Sequence, residues 1–457
     1  MFLDLDNKDK QKVAVIDDSG RSLTYGEIYT FSVEFAKYLP QRSLIFILSE
    51  NKIGALLGYT AALSNRIVPL IISVSTEESL YNHLYELYQP EYLWMPQTMA
   101  EGKEIVFAAW DYCLVKTGNK STPMYEELSL LLPTSGSTGS PKLVRHSYRN
   151  IEANADNVRR LFELDGTEKA MAILPMHYTM GLSVITSHLL AGSTLLLSGR
   201  SLLDKGFWAM LKDATSFTGV PYSYEIMSKM RFTRMDLPNL RMITQGGGRL
   251  SEALFRSLAQ YAFDNGKKFI ATYGQTECTA RMAYLPAELA TTKTCSIGIA
   301  EPGGQLSIID KDGNETFEGE AEGEMVYRGE NVTLGYATCA EDLMKGDENY
   351  GVMHTGDLAR RDADGCYFII GRMKRFLKIF GLRIGLDEVE RLIKEEFKVD
   401  CYCKGTDDKL IVMVTDSDLM EKLPAFVEEK IHLFHKKIEV QLVKEILHNE
   451  FGKVITQ

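Results

Sequence analysis

Several classes of protein are excluded by what this sequence lacks. Its seven cysteines are scattered, and only Cys401 and Cys403 lie close together. That pattern offers neither a disulfide framework nor zinc-ligand spacing, so reduced, mostly buried thiols and a cytoplasmic location are expected. The start, MFLDLDNKDK, has acids where a signal peptide needs positive charge followed by an apolar core. Residues 170–199 carry no formal charge, but Pro175, His177, Gly181, Gly192 and several Ser and Thr break them into loop, helix and strand, so no membrane span is expected. Positive charge is also in short supply: 51 Lys and Arg against 62 Asp and Glu leave a net charge of −11, which argues against a general nucleic-acid binder.

What remains is ordinary for a globular protein, 45% hydrophobic and 25% charged over 457 residues, a length that suggests two or three domains. Strand-like and helix-like segments alternate early: 12–17 (KVAVID), a helix opening after Thr24, 43–48 (SLIFIL), 51–63 with helical spacing, and 66–73 (RIVPLIIS). Such alternation implies α/β architecture with largely parallel strands. After residue 386 a helix (386–397), a strand (410–415), a helix (423–435) and a strand (438–443) form a small α+β unit of about eighty residues.

The chain is organised around residues 128–145, LSLLLPTSGSTGSPKLVR. An apolar strand ends at Pro133. Thr134, Ser135, Gly136, Ser137, Thr138 and Gly139 follow, then Ser140, Pro141 and Lys142. Small residues let backbone N–H groups converge on one anion, hydroxyls add donors, and Lys142 supplies a point charge. The spacing is not that of a Walker loop, which needs Gly-Lys-Ser/Thr. A Ser/Gly-rich stretch alone is more often a flexible connection; the strand before it and the single Lys after it favour phosphate binding.

Other stretches carry candidate chemistry. His177 lies in LPMHYTMGLSV, where a lone His is usually structural. Gly246, Gly247 and Gly248 follow a strand and suit close approach to a ligand or a plain tight turn. In FIATYGQTE, Tyr273 can stack on a base, Thr276 can donate to a phosphate and Glu277 can hold magnesium. Asp357, in HTGDL, suits either a turn or a ribose hydroxyl pair. Residues 365–386 hold five basic residues and no acid, which suggests a phosphate-facing edge.

Taken in order, TSGSTGSPK, LPMHYTMGLSV, YGQTE, GEAEGEMVYRGENVTLGY, HTGDL, the basic stretch and the tail LHNEFGKVITQ resemble the adenylate-forming superfamily: acyl-CoA synthetases, peptide-synthetase adenylation domains and firefly luciferase. The resemblance covers the chain from about residue 12 to its last turn. It implies a large N-terminal adenylation region (1–371) of layered sheets and helices with a β-rich subdomain, a hinge (372–375) and a small mobile C-terminal domain (376–457). It places pyrophosphate on 134–139 and Lys142, adenine at Gly246–Gly248, Tyr273 and Gly274, phosphate on Thr276, magnesium on Glu277, and ribose on Asp357 and Arg372. Lys374 would be the pivot, Gly381 would line the thiol tunnel, and Lys453 would be the catalytic lysine; His448 stands where that closing motif most often has Pro. His177 would lie beside the substrate carboxylate, with Met176, Tyr178, Met180, Tyr222 and Met282 forming an apolar, adaptable acid pocket.

The implied activity is an ATP- and magnesium-dependent ligase that makes an acyl-AMP and passes the acyl group to a thiol, either CoA or the pantetheine of a carrier protein. A non-catalytic nucleotide-binding relative is the remaining alternative. Amino-acid-activating relatives usually hold the substrate amine with an Asp in the His177 motif, and no acid occurs at 174–187. Lys374 at the pivot, where such relatives often have Asp, points the same way: to an acyl or aryl acid.

Overall fold

The computed structural model describes residues 1–133, 142–373, 375–379, 382–406, 409–448 and 454, excepting the side chains at 378, 382 and 383. Among these residues two large sheets dominate. One has nine strands and is parallel through its centre, running in space from Lys268–Tyr273 through Met242–Gln245, Ser216–Gly219, Lys169–Ala172 and Thr194–Leu197 to Val13–Asp17. The other has eight strands, with a parallel centre of Leu128–Pro133, Val68–Ser73, Leu44–Ser49 and Tyr92–Pro96 and antiparallel edges.

Two helices hydrophobic on almost every side, Ile53–Ser64 and Thr179–Ala191, pack into the core shared by both sheets, alongside Val15, Leu195 and Leu197 from one and Ile45, Ile47 and Trp94 from the other. A helix hydrophobic on every side is buried on every side. Helix starts follow local chemistry. Thr24 caps Tyr25–Phe35 in a reciprocal box with Glu27, and Ser147 does the same for Tyr148–Leu161 with Asn150.

A five-stranded antiparallel sheet follows, centred on Ala321–Gly329 and Val352–Arg361. Beyond it come the hairpin Phe376–Ile379/Leu382–Gly385, the helix Leu386–Phe397, a three-stranded sheet (Cys401–Thr406, Lys409–Val414, Ile438–Leu442) and the helix Lys422–Ile431, all sharing one core. The second C-terminal helix stops short of the expected residue 435 because His432 turns left-handed (φ 57°) and ends it. Among the described residues no helix is long and apolar enough to cross a membrane.

Candidate active site

The expected phosphate-binding stretch is the connection of a hairpin. Leu128–Pro133 pairs antiparallel with Leu143–Ser147, a strand not among the sequence expectations. Thr134 to Gly139 lie outside the described residues. Lys142, at the foot of the second strand, holds its ammonium 5.4 Å from the centre of the Tyr336 ring. Tyr336 belongs to Gly335–Ala337, an edge strand paired with Leu143–Ser147. Fully buried Arg145 pins the two together, donating to the Tyr336 and Leu334 carbonyls and pairing with Glu348.

Tyr336 also reaches Glu277: its hydroxyl donates to Oε1 at 2.7 Å. The site thus brings Lys142, Glu277 and Tyr336 together from three distant stretches of chain. Glu277 sits on a tight loop between Lys268–Tyr273 and Ala283–Tyr284. Gly274 is required there, because a Cβ would lie 1.6 Å from the Ala280 carbonyl oxygen. Thr279 (φ 52°) and Ala280 (φ 93°) are left-handed without being Gly, a strained arrangement that persists only where its surroundings over-determine it.

Asn331 supplies that determination. Its amide nitrogen donates to the Cys278 and Arg281 carbonyls at 3.0 and 2.9 Å, and its backbone carbonyl accepts from Thr279 Oγ1. The Thr333 amide donates to the Glu277 carbonyl at 3.0 Å. Behind Asn331 stands Glu301, fully buried, whose Oε1 accepts from Asn331, Asn157 and Tyr327.

Burial pushes the Glu301 carboxyl up from 4.5 to about 8, against its hydrogen bonds and the nearby Arg281 charge. The folded state therefore keeps a proton there that the unfolded chain releases, so this group's contribution to stability is full below 4.5 and is lost as pH rises towards about 8. The melting temperature of the wild type should fall across that window more steeply than that of Glu301→Gln. Parallel melting curves would contradict this assignment.

Among the residues expected at the nucleotide, the Tyr273 hydroxyl donates to Asp357 Oδ2, and Arg372 Nε lies 3.4 Å from Asp357 Oδ1. Asp357 is nine-tenths buried and lies within the strand Val352–Arg361, beside left-handed Gly356, rather than simply in a turn. Burial raises its carboxyl, and Tyr273 and Arg372 oppose the rise.

Next to the expected acid-pocket residues, Thr179 Oγ1 donates to Thr276 Oγ1 at 3.0 Å. Gly247 (φ +75°) passes close to Tyr178: a Cβ would lie 2.4 Å from that hydroxyl. One on Gly246 would lie 2.8 Å from the Met180 sulfur, and Gly248 backs onto Pro221. His177 Nδ1 is 3.4 Å from Ser49 Oγ, and the ring lines a small pocket of about 160 Å³ with Ser73, Thr76, Leu80 and Pro133.

The expected set of pocket residues does not stay together. Tyr178 and Met180 cluster with Leu174, Val220 and Ala280. Met176 is instead locked into the core between the sheets. Met282 is fully buried with Cys278, Met325 and Tyr327 under the five-stranded sheet, and Tyr222 is 55% exposed. The unopposed basic edge also needs correction: Arg375 is neutralised by Asp387 at 2.7 Å and Glu390 at 2.6 Å. Arg372 does line a cleft of about 750 Å³, along with Arg249, Arg256, Arg360, Arg391 and Glu252. Lys374, Gly381 and Lys453 lie outside the described residues, as does the side chain of Lys378.

Magnesium held mainly by substrate phosphates needs only one or two protein carboxylates. Glu277 beside Lys142 fits that demand; among the described residues no group of three or more His, Cys, Asp or Glu is placed to hold a metal by itself.

The family model described as AMP-binding enzyme matches residues 4–337. The chain belongs to that family. It is 32% identical over 272 residues to an indoleacetate–CoA ligase of Aromatoleum aromaticum, covering 58% of this chain and 52% of that protein. Over 273 residues it is 31% identical to an oxalate–CoA ligase of Arabidopsis thaliana, with the same coverage. It therefore spans about half the length of these curated relatives. The o-succinylbenzoate CoA synthetase of Bacillus subtilis, solved with ATP and magnesium, superposes with a TM-score of 0.80 at 19% identity, covering 97% of this chain and 95% of that one, a likeness of fold. The resemblance to adenylate-forming enzymes and the expected α/β architecture are both borne out.

Proposed function

We propose that this chain is an AMP-forming acid–thiol ligase: it joins a carboxylic acid to ATP as acyl-AMP, releases pyrophosphate, and transfers the acyl group to a thiol. The observation that carries this reading is the convergence of Lys142, Glu277 and Tyr336 beside Thr276, with Asp357 one strand away. Lys142 and the 134–139 stretch take the β- and γ-phosphates. Glu277, its carboxylate fixed by Tyr336, would hold magnesium, which supplies charge neutralisation between the phosphates. Thr276 donates to the α-phosphate, where negative charge gathers as the acid attacks in line. Tyr273 and Gly246–Gly248 border the adenine, and Asp357 with Arg372 receives the ribose.

For the thiol we favour CoA, with carrier-protein pantetheine as the second reading. The cleft beside Arg372 supports a phosphate-bearing acceptor of either kind through Arg249 and Arg360, while Arg256 and Arg391 there are paired with Glu252 and Glu395. The hinge at 372–375 is supported by two anchors: Arg372 is held by Asp357 on the large region, and Arg375 by Asp387 and Glu390 on the small one. A pivot between them would turn one region against the other while both anchors stay in place.

The acid-dependent exchange of pyrophosphate into ATP tests the reading. Exchange is expected with acyl or aryl acids and not with free amino acids. The charge that interacts with Tyr178 is the cationic Arg281, and an ammonium left unpaired there would cost several kcal/mol. Robust exchange with one proteinogenic amino acid and none with simple acids would overturn it. The relatives named above act on indoleacetate and oxalate, so family membership leaves the choice between an apolar and a polar acid open.

A further inference from the structure

Arg281, the chain neighbour of Met282, is absent from the expected site, yet it lies near enough to Tyr178 to interact with it. Met282 packs into the core under the five-stranded sheet, whereas Arg281 reaches the helix Thr179–Ala191. There its NH1 donates to Ser183 Oγ at 2.7 Å, and Ser183 in turn donates to Asn154 Oδ1 at 2.8 Å. The guanidinium lies over the Phe162 ring at 5.2 Å.

The residue is 1% exposed, and among the described residues its Nε and NH2 have no hydrogen-bond partner, nor does the amide nitrogen of Asn154. Burial lowers the guanidinium to about 10, still cationic at neutral pH, and Tyr178 is near enough to interact with that charge. Glu301 is near enough to interact with Arg281, but its Oε1 accepts from three other donors, its Oε2 has no hydrogen-bond partner among the described residues, and it forms no hydrogen bond with Arg281. A buried cation with two idle donors is a costly feature unless something arrives to meet them.

The helix gives the depth. Thr179 touches Thr276, the residue assigned to the α-phosphate that the reacting carboxylate attacks, and Ser183, four residues further along the same face, touches Arg281. One helical turn separates the two contacts, about 6 Å. We propose that the acid activated here carries a second anionic group, a carboxylate about one helical turn from the reacting one, which pairs with the Arg281 guanidinium through Nε and NH2. The pocket is thus apolar along its Tyr178, Met180 and Val220 wall and cationic at its end. The proposal rests on the ligase reading.

The test is pyrophosphate exchange with matched pairs of acids, each aliphatic or aromatic monocarboxylate against the same skeleton bearing a second carboxylate. The wild type should favour the best diacid over its monoacid by roughly 10²–10⁴-fold in kcat/KM, the scale at which a site built for a polar group rejects the analogue lacking it. Arg281→Met should lower diacid exchange about 10²-fold while holding or raising monoacid exchange, and Arg281→Lys should fall between, since a point charge replaces a fork. Circular dichroism checks the fold of both variants, and the wild-type panel stands without them. Monoacids exchanging as well as their diacid partners in the wild type would overturn the proposal and leave the ligase reading in place. Exchange with no acid of either kind would overturn both.

Discussion

Replacing Glu277 with Gln should lower the adenylation rate about 10²–10³-fold, the range typical of losing one preorganised electrostatic contact in the transition state. The substitution preserves size and the acceptor that meets the Tyr336 hydroxyl. The loop stays clamped through backbone groups that the change does not touch, the Thr333 amide on the Glu277 carbonyl and Asn331 on the Cys278 and Arg281 carbonyls. What is lost is the negative charge, which a hard cation prefers over an amide. The variant should keep the wild-type circular dichroism spectrum and need more magnesium to reach half of its residual rate. An unchanged rate at limiting magnesium would show that the metal is held elsewhere.

The second large effect should fall on one half-reaction only. Lys453 is assigned to the small C-terminal unit, about eighty residues beyond the pivot at Lys374. If that unit presents Lys453 to the carboxylate and α-phosphate oxygens, its charge stabilises the adenylating transition state and has no task once acyl-AMP exists. Lys453→Met should therefore cut pyrophosphate exchange about 10²–10³-fold while still converting supplied acyl-AMP to thioester. Lys374→Pro, by stiffening the chain between the Arg372 and Arg375 anchors, should spare whichever half-reaction uses the favoured arrangement and impair the other. Both half-reactions are to be measured on both variants, with free CoA and with a pantetheinylated carrier. Equal loss of the two in Lys453→Met would rule out domain alternation for this chain.

The parts of this molecule that sequence makes legible are those whose cause is local. Thr24 and Ser147 cap helices because Glu27 and Asn150 stand three residues on. Leu386–Phe397 has the bounds its periodicity suggests. Lys142, Tyr273, Glu277 and Asp357 are legible as candidates because small residues and turns surround them in short, dense motifs. Tyr336, Asn331 and Arg145 are not, since each acts across 50 or more positions of chain, and nothing beside a lone Tyr or Asn in a β-rich stretch announces a distant partner.

The acid pocket shows a different failure. Residue type alone puts Met176 and Met282 there, although type does not say which face a residue takes. Both Arg281 and Met282 are interior, Met282 under the five-stranded sheet and Arg281 against the helix Thr179–Ala191, and residue type alone does not separate the two. Arg375 looks like a free cation for a related reason, because Asp387 and Glu390 lie just beyond the acid-free stretch on the next helix.

The central claim is that acid and ATP meet directly at phosphorus. An active acid should be supplied with both carboxylate oxygens isotopically heavy, together with ATP, magnesium and CoA, and the nucleotide product analysed by mass. In-line attack by the carboxylate on the α-phosphate, followed by thiol transfer, places one heavy oxygen in AMP for every thioester formed. ADP as the nucleotide product, or AMP carrying none of the acid's oxygen, would contradict the account.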